Sequence, residues 1–186
     1  QKEFNELIND DNKPFFDRAA QGRYSPASTI KPAIALFGIE KDILDWDFTI
    51  QDPGFFVLPE DGRIYRGWKK GGHGEINLKN AIIESSNTFF FSLAYKTEIE
   101  ELRDHLSNFG FGTNVCIDCF MPDDGLLPSP RWKMNTHNFG WFKGDTVNMG
   151  VGQGYINATP LQLAYYSAFL ATKGNLNKFS FVQDKD

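Results

Sequence analysis

Ser28-Thr29-Ile30-Lys31 sets a hydroxyl and an amine three residues apart, and on a helix that spacing puts both side chains on one face, one turn apart. A serine hydroxyl is a poor nucleophile until a neighbour accepts its proton, and a desolvated lysine near a helix N-terminus favours the neutral form that can do so. Ser85-Ser86-Asn87 is a second candidate, a Ser-x-Asn triplet built from residues that also cap helices. Taken singly, each motif reads better as a helix cap, with Lys31 as a surface lysine. Their weight comes from the pair in this order, the first at the tip of a buried helix and the second at a helix break.

Pro32 is tolerated without loss only in the first turn of a helix, so the helix carrying Lys31 must begin close to Ser28. Ile34, Ala35, Leu36, Phe37 and Ile39 make that helix apolar on nearly every side, the pattern of an element buried in a core. From Asp52 to Glu75, Pro53, Gly54, Pro59, Gly62, Gly67, Gly71, Gly72 and Gly74 interrupt any period, which predicts a long loop or short hairpins. Helical pattern runs from Asn77 to Ile83, pauses at Ser85-Ser86-Asn87, resumes from Phe89 to Lys96, and returns from Ile99 to Phe109. Thr159 and Gln162 fit a capping box around Pro160, Gly174 marks a stop, and Leu161, Leu163, Ala164 and Ala168 form the expected apolar face. Convincing strands are few, and the chain should be mainly helical.

The 186 residues suit one domain, and 41% hydrophobic with 15% aromatic residues supply a core. Phe89-Phe90-Phe91 and Tyr165-Tyr166 belong to that core. A net charge of -5 offers no basic stripe for phosphates, so nucleic acid is not an expected partner. No apolar run approaches the roughly 18 residues of a membrane-spanning helix, so any membrane contact is expected through segments outside this chain. Cys116-Ile117-Asp118-Cys119 has no companion pair and reads as an incidental pair or a local disulfide, which leaves the redox compartment open. His73, His105 and His137 are scattered, with a solvated role expected for His105; Arg66, Lys69 and Lys70 read as a solvated loop face.

Ser-x-x-Lys followed by Ser-x-Asn resembles the serine acyltransferases that bind penicillin, whose third motif is Lys-Thr-Gly. YSPASTIKP, DPGFF, YRGWKKGGHG, ESSNTFFF and GVGQGYINATPLQLA extend the likeness from about Gln21 to about Gly174, and are similar to elongation-type class B penicillin-binding proteins, the penicillin-binding protein 2 group. The resemblance implies an α+β penicillin-binding transpeptidase fold of serine β-lactamase type. It also implies a peptidoglycan D,D-transpeptidase that cross-links through a serine acyl-enzyme during cell elongation. Ser28 would be the nucleophile, Lys31 its base, Ser85 a proton relay to the leaving group, and Asn87 a contact to a substrate amide. The implied partners are peptidoglycan stem peptides, β-lactams, a glycan polymerase and elongation-complex proteins, at the periplasmic face of the bacterial inner membrane. No cofactor is implied.

The departures matter too. The family's Lys-Thr-Gly or Lys-Ser-Gly motif has no counterpart here, and the nearest string is Thr172-Lys173-Gly174 in another order. Residues 1–186 are therefore expected to form a partial transpeptidase domain, lacking the third motif and most of the central sheet, and inactive alone. Ala27 stands where many relatives have Gly. Some relatives bind zinc through the Asp of DPG, an acidic residue before the Trp, the His of GHG and a Cys inside Ser-x-Asn; here Asp52 and His73 remain while Gly67 and Ser86 stand at the other two places, so no metal is expected. The rival expectations are a serine β-lactamase or β-lactam sensor, against which the DPG to GHG region argues, and a non-catalytic scaffold fragment.

Overall fold

The apolar run after Lys31 folds as the central helix of a computed structural model that describes residues 1–182. This helix spans Lys31–Glu40; with α1 at Lys2–Ile8 ahead of it, it is α2, and Ala33, Ile34, Ala35 and Phe37 are all buried on it. Ser28 precedes it in a 3-10 turn, Ala27–Ile30, rather than in the helix itself. The continuous turn keeps Ser28 one turn from Lys31, and residues three apart eclipse in 3-10 geometry. Leu36 is the one apolar side chain of α2 that faces outward.

The Gly- and Pro-rich stretch forms two nested ribbons. The strand β1, Thr49–Asp52, pairs antiparallel with β4, Gly74–Asn77, while β2, Phe55–Val57, pairs with β3, Ile64–Arg66, inside that outer hairpin. Gly72 is essential to this path: at φ +76 it lies so close that a Cβ would come 2.0 Å from the Asp52 carbonyl. Arg66, Lys69 and Lys70 point to solvent.

Asn77 caps α3, Leu78–Ile83, by accepting from the Asn80 N–H at 2.9 Å, and Ser86 caps α4, Asn87–Tyr95, by accepting from Phe89. Phe89, Phe90 and Phe91 fill the core beneath α2. The helices α5, Ile99–Asn108, and α8, Pro160–Ala171, close the far side. Two further short helices, α6 at Pro130–His137 and α7 at Lys143–Met149, lie in the stretch where no helix is expected from pattern; α7 packs on α4.

Two expectations need correction. His105 is buried because its ring packs between Phe37 and Phe109 while both nitrogens find partners, Nε2 2.9 Å from the Ala33 carbonyl and Nδ1 3.0 Å from Glu40. On α8 the capping box forms as expected, but the inward residues are Gln162 and Tyr166, while Ala164 is exposed. Gln162 Nε2 lies 2.8 to 3.1 Å from the carbonyls of Gly110, Thr113 and Asp124, satisfying a loop that would otherwise be buried without partners. Tyr166 receives the Ala33 N–H at 3.2 Å, and burial pushes its hydroxyl up to about 12.

Candidate active site

Three pieces of backbone converge on one point: the 3-10 turn, the first residue of α2, and the break between α3 and α4. The turn is seated by Ala27, whose N–H donates to the Gly152 carbonyl at 2.9 Å; the Ser25 hydroxyl donates to the same oxygen. Ala27 itself has φ +48, the left-handed region in which glycine is free of strain. That gives the Gly common at this position in relatives a physical reason. Ser28 is consequently held with its side chain exposed.

Lys31 is only 2% exposed and has the Phe90 ring 5.3 Å away. Its Nζ lies 2.7 Å from Asn87 Oδ1, 2.8 Å from the Ser85 carbonyl and 3.0 Å from Ser85 Oγ. Ser85 Oγ is in turn 2.9 Å from Ser28 Oγ. Burial lowers the lysine to about 8, so near neutral pH an appreciable fraction is an uncharged base. Ser85 takes φ +52, and this left-handed turn lets its carbonyl and its hydroxyl both reach the same amine. The four residues singled out by sequence are thus in one cluster. The hydrogen-bonded link from lysine to Ser28 runs through Ser85.

A neutral amine has two N–H groups and one lone pair. Two of its three neighbours, the Ser85 carbonyl and Asn87 Oδ1, can only accept, so the lone pair is left for the Ser85 O–H. Ser28 can then donate to Ser85 Oγ. The arrangement can carry a proton from Ser28 to Lys31 in two short transfers.

Behind the Ser-x-Asn turn lies a buried carboxylate. Asp52 Oδ2 receives the Ser86 hydroxyl at 2.8 Å and lies 2.6 Å from His73 Nδ1, and Oδ1 receives the Gly54 N–H at 2.7 Å. Burial acts to raise this carboxyl, but the bonds from His73, Gly54 and Ser86 prevail and hold it below the usual range. These residues do not fit a zinc ion. Asp52 and His73 are two ligands, Ser86 brings a neutral hydroxyl already engaged in two hydrogen bonds, and Gly67 has no side chain. Elsewhere, Cys116 and Cys119 form a local disulfide, and His137 lies exposed beside Tyr155. The seat on Gly152 was missed by sequence reasoning, its local signal being the density of glycine around it; Asp52, His73 and Ser86 were grouped from the sequence as positions of a metal site, and what was missed is the hydrogen bond that joins Ser86 to Asp52.

A turn that exposes a serine, a buried lysine and a Ser-x-Asn break around a hydrophobic helix define the class of penicillin-interacting serine enzymes. Within it, this chain belongs to the family described as penicillin binding protein transpeptidase domain, whose profile matches residues 2–186. It is 42% identical over 94% of its length to the peptidoglycan D,D-transpeptidase MrdA of Acinetobacter baumannii, and covers 26% of that protein. A crystal structure of Pseudomonas aeruginosa PBP2 in complex with WCK 5153 superposes with a TM-score of 0.91 at 40% identity, covering 96% of this chain and 41% of that one. A complex between PBP2 and MreC from Helicobacter pylori gives 0.89 at 34% identity, covering 98% of this chain and 34% of its counterpart. The chain therefore spans about a quarter of the length of the curated relative it matches.

Proposed function

We propose that this chain carries the nucleophilic half of a peptidoglycan D,D-transpeptidase active site. The observation that carries the reading is the run Lys31 Nζ, Ser85 Oγ, Ser28 Oγ, with steps of 3.0 and 2.9 Å. Ser28 Oγ attacks the carbonyl carbon between the two terminal D-alanines of a stem peptide. Its proton passes through Ser85 to Lys31, and is then returned to the nitrogen of the departing D-alanine as the C–N bond breaks. An amine of a neighbouring stem attacks the ester, gives up a proton along the same route, and Ser28 is released with a cross-link made. Asn87 orients the substrate amide while holding Lys31. A β-lactam acylates the same serine, and its ester is slow to leave.

In the whole protein, the backbone N–H of Ser28 would be one donor to the oxyanion, and a strand carrying a Lys-Ser-Gly or Lys-Thr-Gly motif would supply the other and cover the apolar groove of about 500 Å³ lined by Leu36, Phe109, Phe169 and Leu170. The reading places the domain at the periplasmic face of the inner membrane, anchored through other segments. Its partners there are a glycan polymerase and elongation proteins, in keeping with the MreC complex of the H. pylori relative. The test is to treat the full-length protein with a fluorescent penicillin and locate the adduct by intact and peptide mass. Labelling is expected at Ser28 and lost in Ser28→Ala; undiminished labelling of that variant would overturn the assignment.

A further inference from the structure

We propose that Asp52 is a positioning residue for acylation, holding the Ser85-Ser86-Asn87 turn in register with Lys31 through a hydrogen bond to Ser86. The inference rests on the transpeptidase reading. Lys31 takes all three of its hydrogen-bond partners from the two residues that flank Ser86: the carbonyl and hydroxyl of Ser85 and the amide oxygen of Asn87. Whatever fixes Ser86 fixes all three together. Ser86 is fully buried, and its hydroxyl accepts from the Phe89 N–H at 3.2 Å while donating to Asp52 Oδ2 at 2.8 Å.

The carboxylate end of that bond is itself immobilised. Asp52 is 2% exposed and closes the outer ribbon. Its Oδ1 is held by Gly54, its Oδ2 by His73 Nδ1, and its carbonyl by the His73 N–H at 3.1 Å. One buried charge thus joins the nested ribbons to the turn beside the nucleophile. A hydrogen bond to an ionised acceptor is shorter and roughly twice as strong as a neutral one, so this link is the stiffest that Ser86 can make. The hydroxyl-to-carboxylate bond ties the ribbons to the turn at the positions where some relatives would use a metal ion.

The consequence is specific to the chemical step. Loosening the turn separates Lys31, Ser85 and Ser28 from their relay geometry, and a misplacement of about 1 Å can cost on the order of a hundredfold in rate. The experiment uses the full-length protein and a fluorescent penicillin, measuring the acylation rate constant and the pre-acylation dissociation constant separately, with zinc content by elemental analysis. Asp52→Ala and Ser86→Ala are expected to lower the acylation constant about tenfold or more, with the dissociation constant within about twofold. Asp52→Asn keeps one oxygen to accept from Ser86 but loses the charge and sets an NH2 against the Gly54 N–H, so its acylation constant is expected to fall between those of wild type and Asp52→Ala. Asn77→Ala, which removes the cap of the preceding helix, should lower the melting temperature and leave the acylation constant unchanged.

Wild-type acylation in both Asp52→Ala and Ser86→Ala overturns the proposal. So does a rate loss that only tracks lost stability as Asn77→Ala shows it, or one zinc per chain in the wild type. If Asp52→Ala does not fold, Ser86→Ala decides alone, since it leaves the ribbon's own bonds to Asp52 in place. A wild-type protein that is not labelled at Ser28 would instead sink the transpeptidase reading, and the proposal with it.

Discussion

Lys31 has two properties that rarely coincide in a lysine, near-complete burial and contact with a hydroxyl that faces solvent through its neighbour. With the amine lowered to about 8, only its neutral fraction accepts a proton, so acylation of the full-length protein should rise about tenfold per pH unit below 8 and level off above it. A rate flat between pH 6 and 9 would contradict the assignment of Lys31 as the base. The relay through Ser85 makes a second prediction: Ser85→Ala should slow acylation by about a hundredfold or more, because the hydroxyl is the one hydrogen-bonded step between lysine and nucleophile. A Ser85→Ala protein acylating within a few-fold of wild type would mean that Lys31 takes the proton from Ser28 directly.

Among the elements, the seat of the nucleophile turn is the most exacting. Gly152 has φ +69, and a Cβ there would come 2.2 Å from the Ala27 carbonyl, so Gly152→Ala must displace the turn that presents Ser28. The expected result is a fold that survives, with stability reduced by about 1 to 3 kcal/mol, and acylation that falls well beyond that loss, measured by circular dichroism melts beside penicillin labelling. The Ser25 hydroxyl bond to Gly152 in the same seat joins residues 127 apart, and the bond from Ser86 to Asp52 spans 34. What could be read from sequence was local: the start of α2 from Pro32, the cap of α8 from Thr159 and Gln162, the break at Ser86 from its residue types. The nested register of the ribbons, the inward turn of Gln162 and the burial of His105 depend on which distant carbonyls and rings they meet, and no spacing within one element records that. The helices α6 and α7 were hidden for a different reason, being 8 and 7 residues long and too short for a clear apolar period.

At the scale of the molecule, the Cys116–Cys119 disulfide fixes the loop to which the last described segment is docked. Ile117 donates to Phe179, and the Asp118 carboxylate receives the Ser180 hydroxyl and the N–H groups of Phe181 and Val182. The ring it closes is small, with a sequence separation of 3, so replacing both cysteines by serine should cost under about 2 kcal/mol and lower the melting temperature by a few degrees without altering Ser28 labelling.

The buried amine of Lys31 bears on a different property, the alkaline behaviour of the fold itself. Unfolding returns Lys31 from about 8 to its ordinary 10.5, so between those values the unfolded chain binds the proton that the folded one has released. Stability should therefore rise as pH climbs from about 8, in total by on the order of 3 kcal/mol, the cost of a charged amine in the core being fully present only below 8. Tyr166 acts in the opposite sense, since its folded value of about 12 lies above its ordinary 10, and its contribution is lost as pH rises through that interval. Denaturant melts of the domain are expected to show a gain between pH 8 and 10 that is absent in Lys31→Met. That variant should be the more stable protein at pH 7: the proton acceptor that the proposed acylation needs is a standing weakness in the fold that houses it.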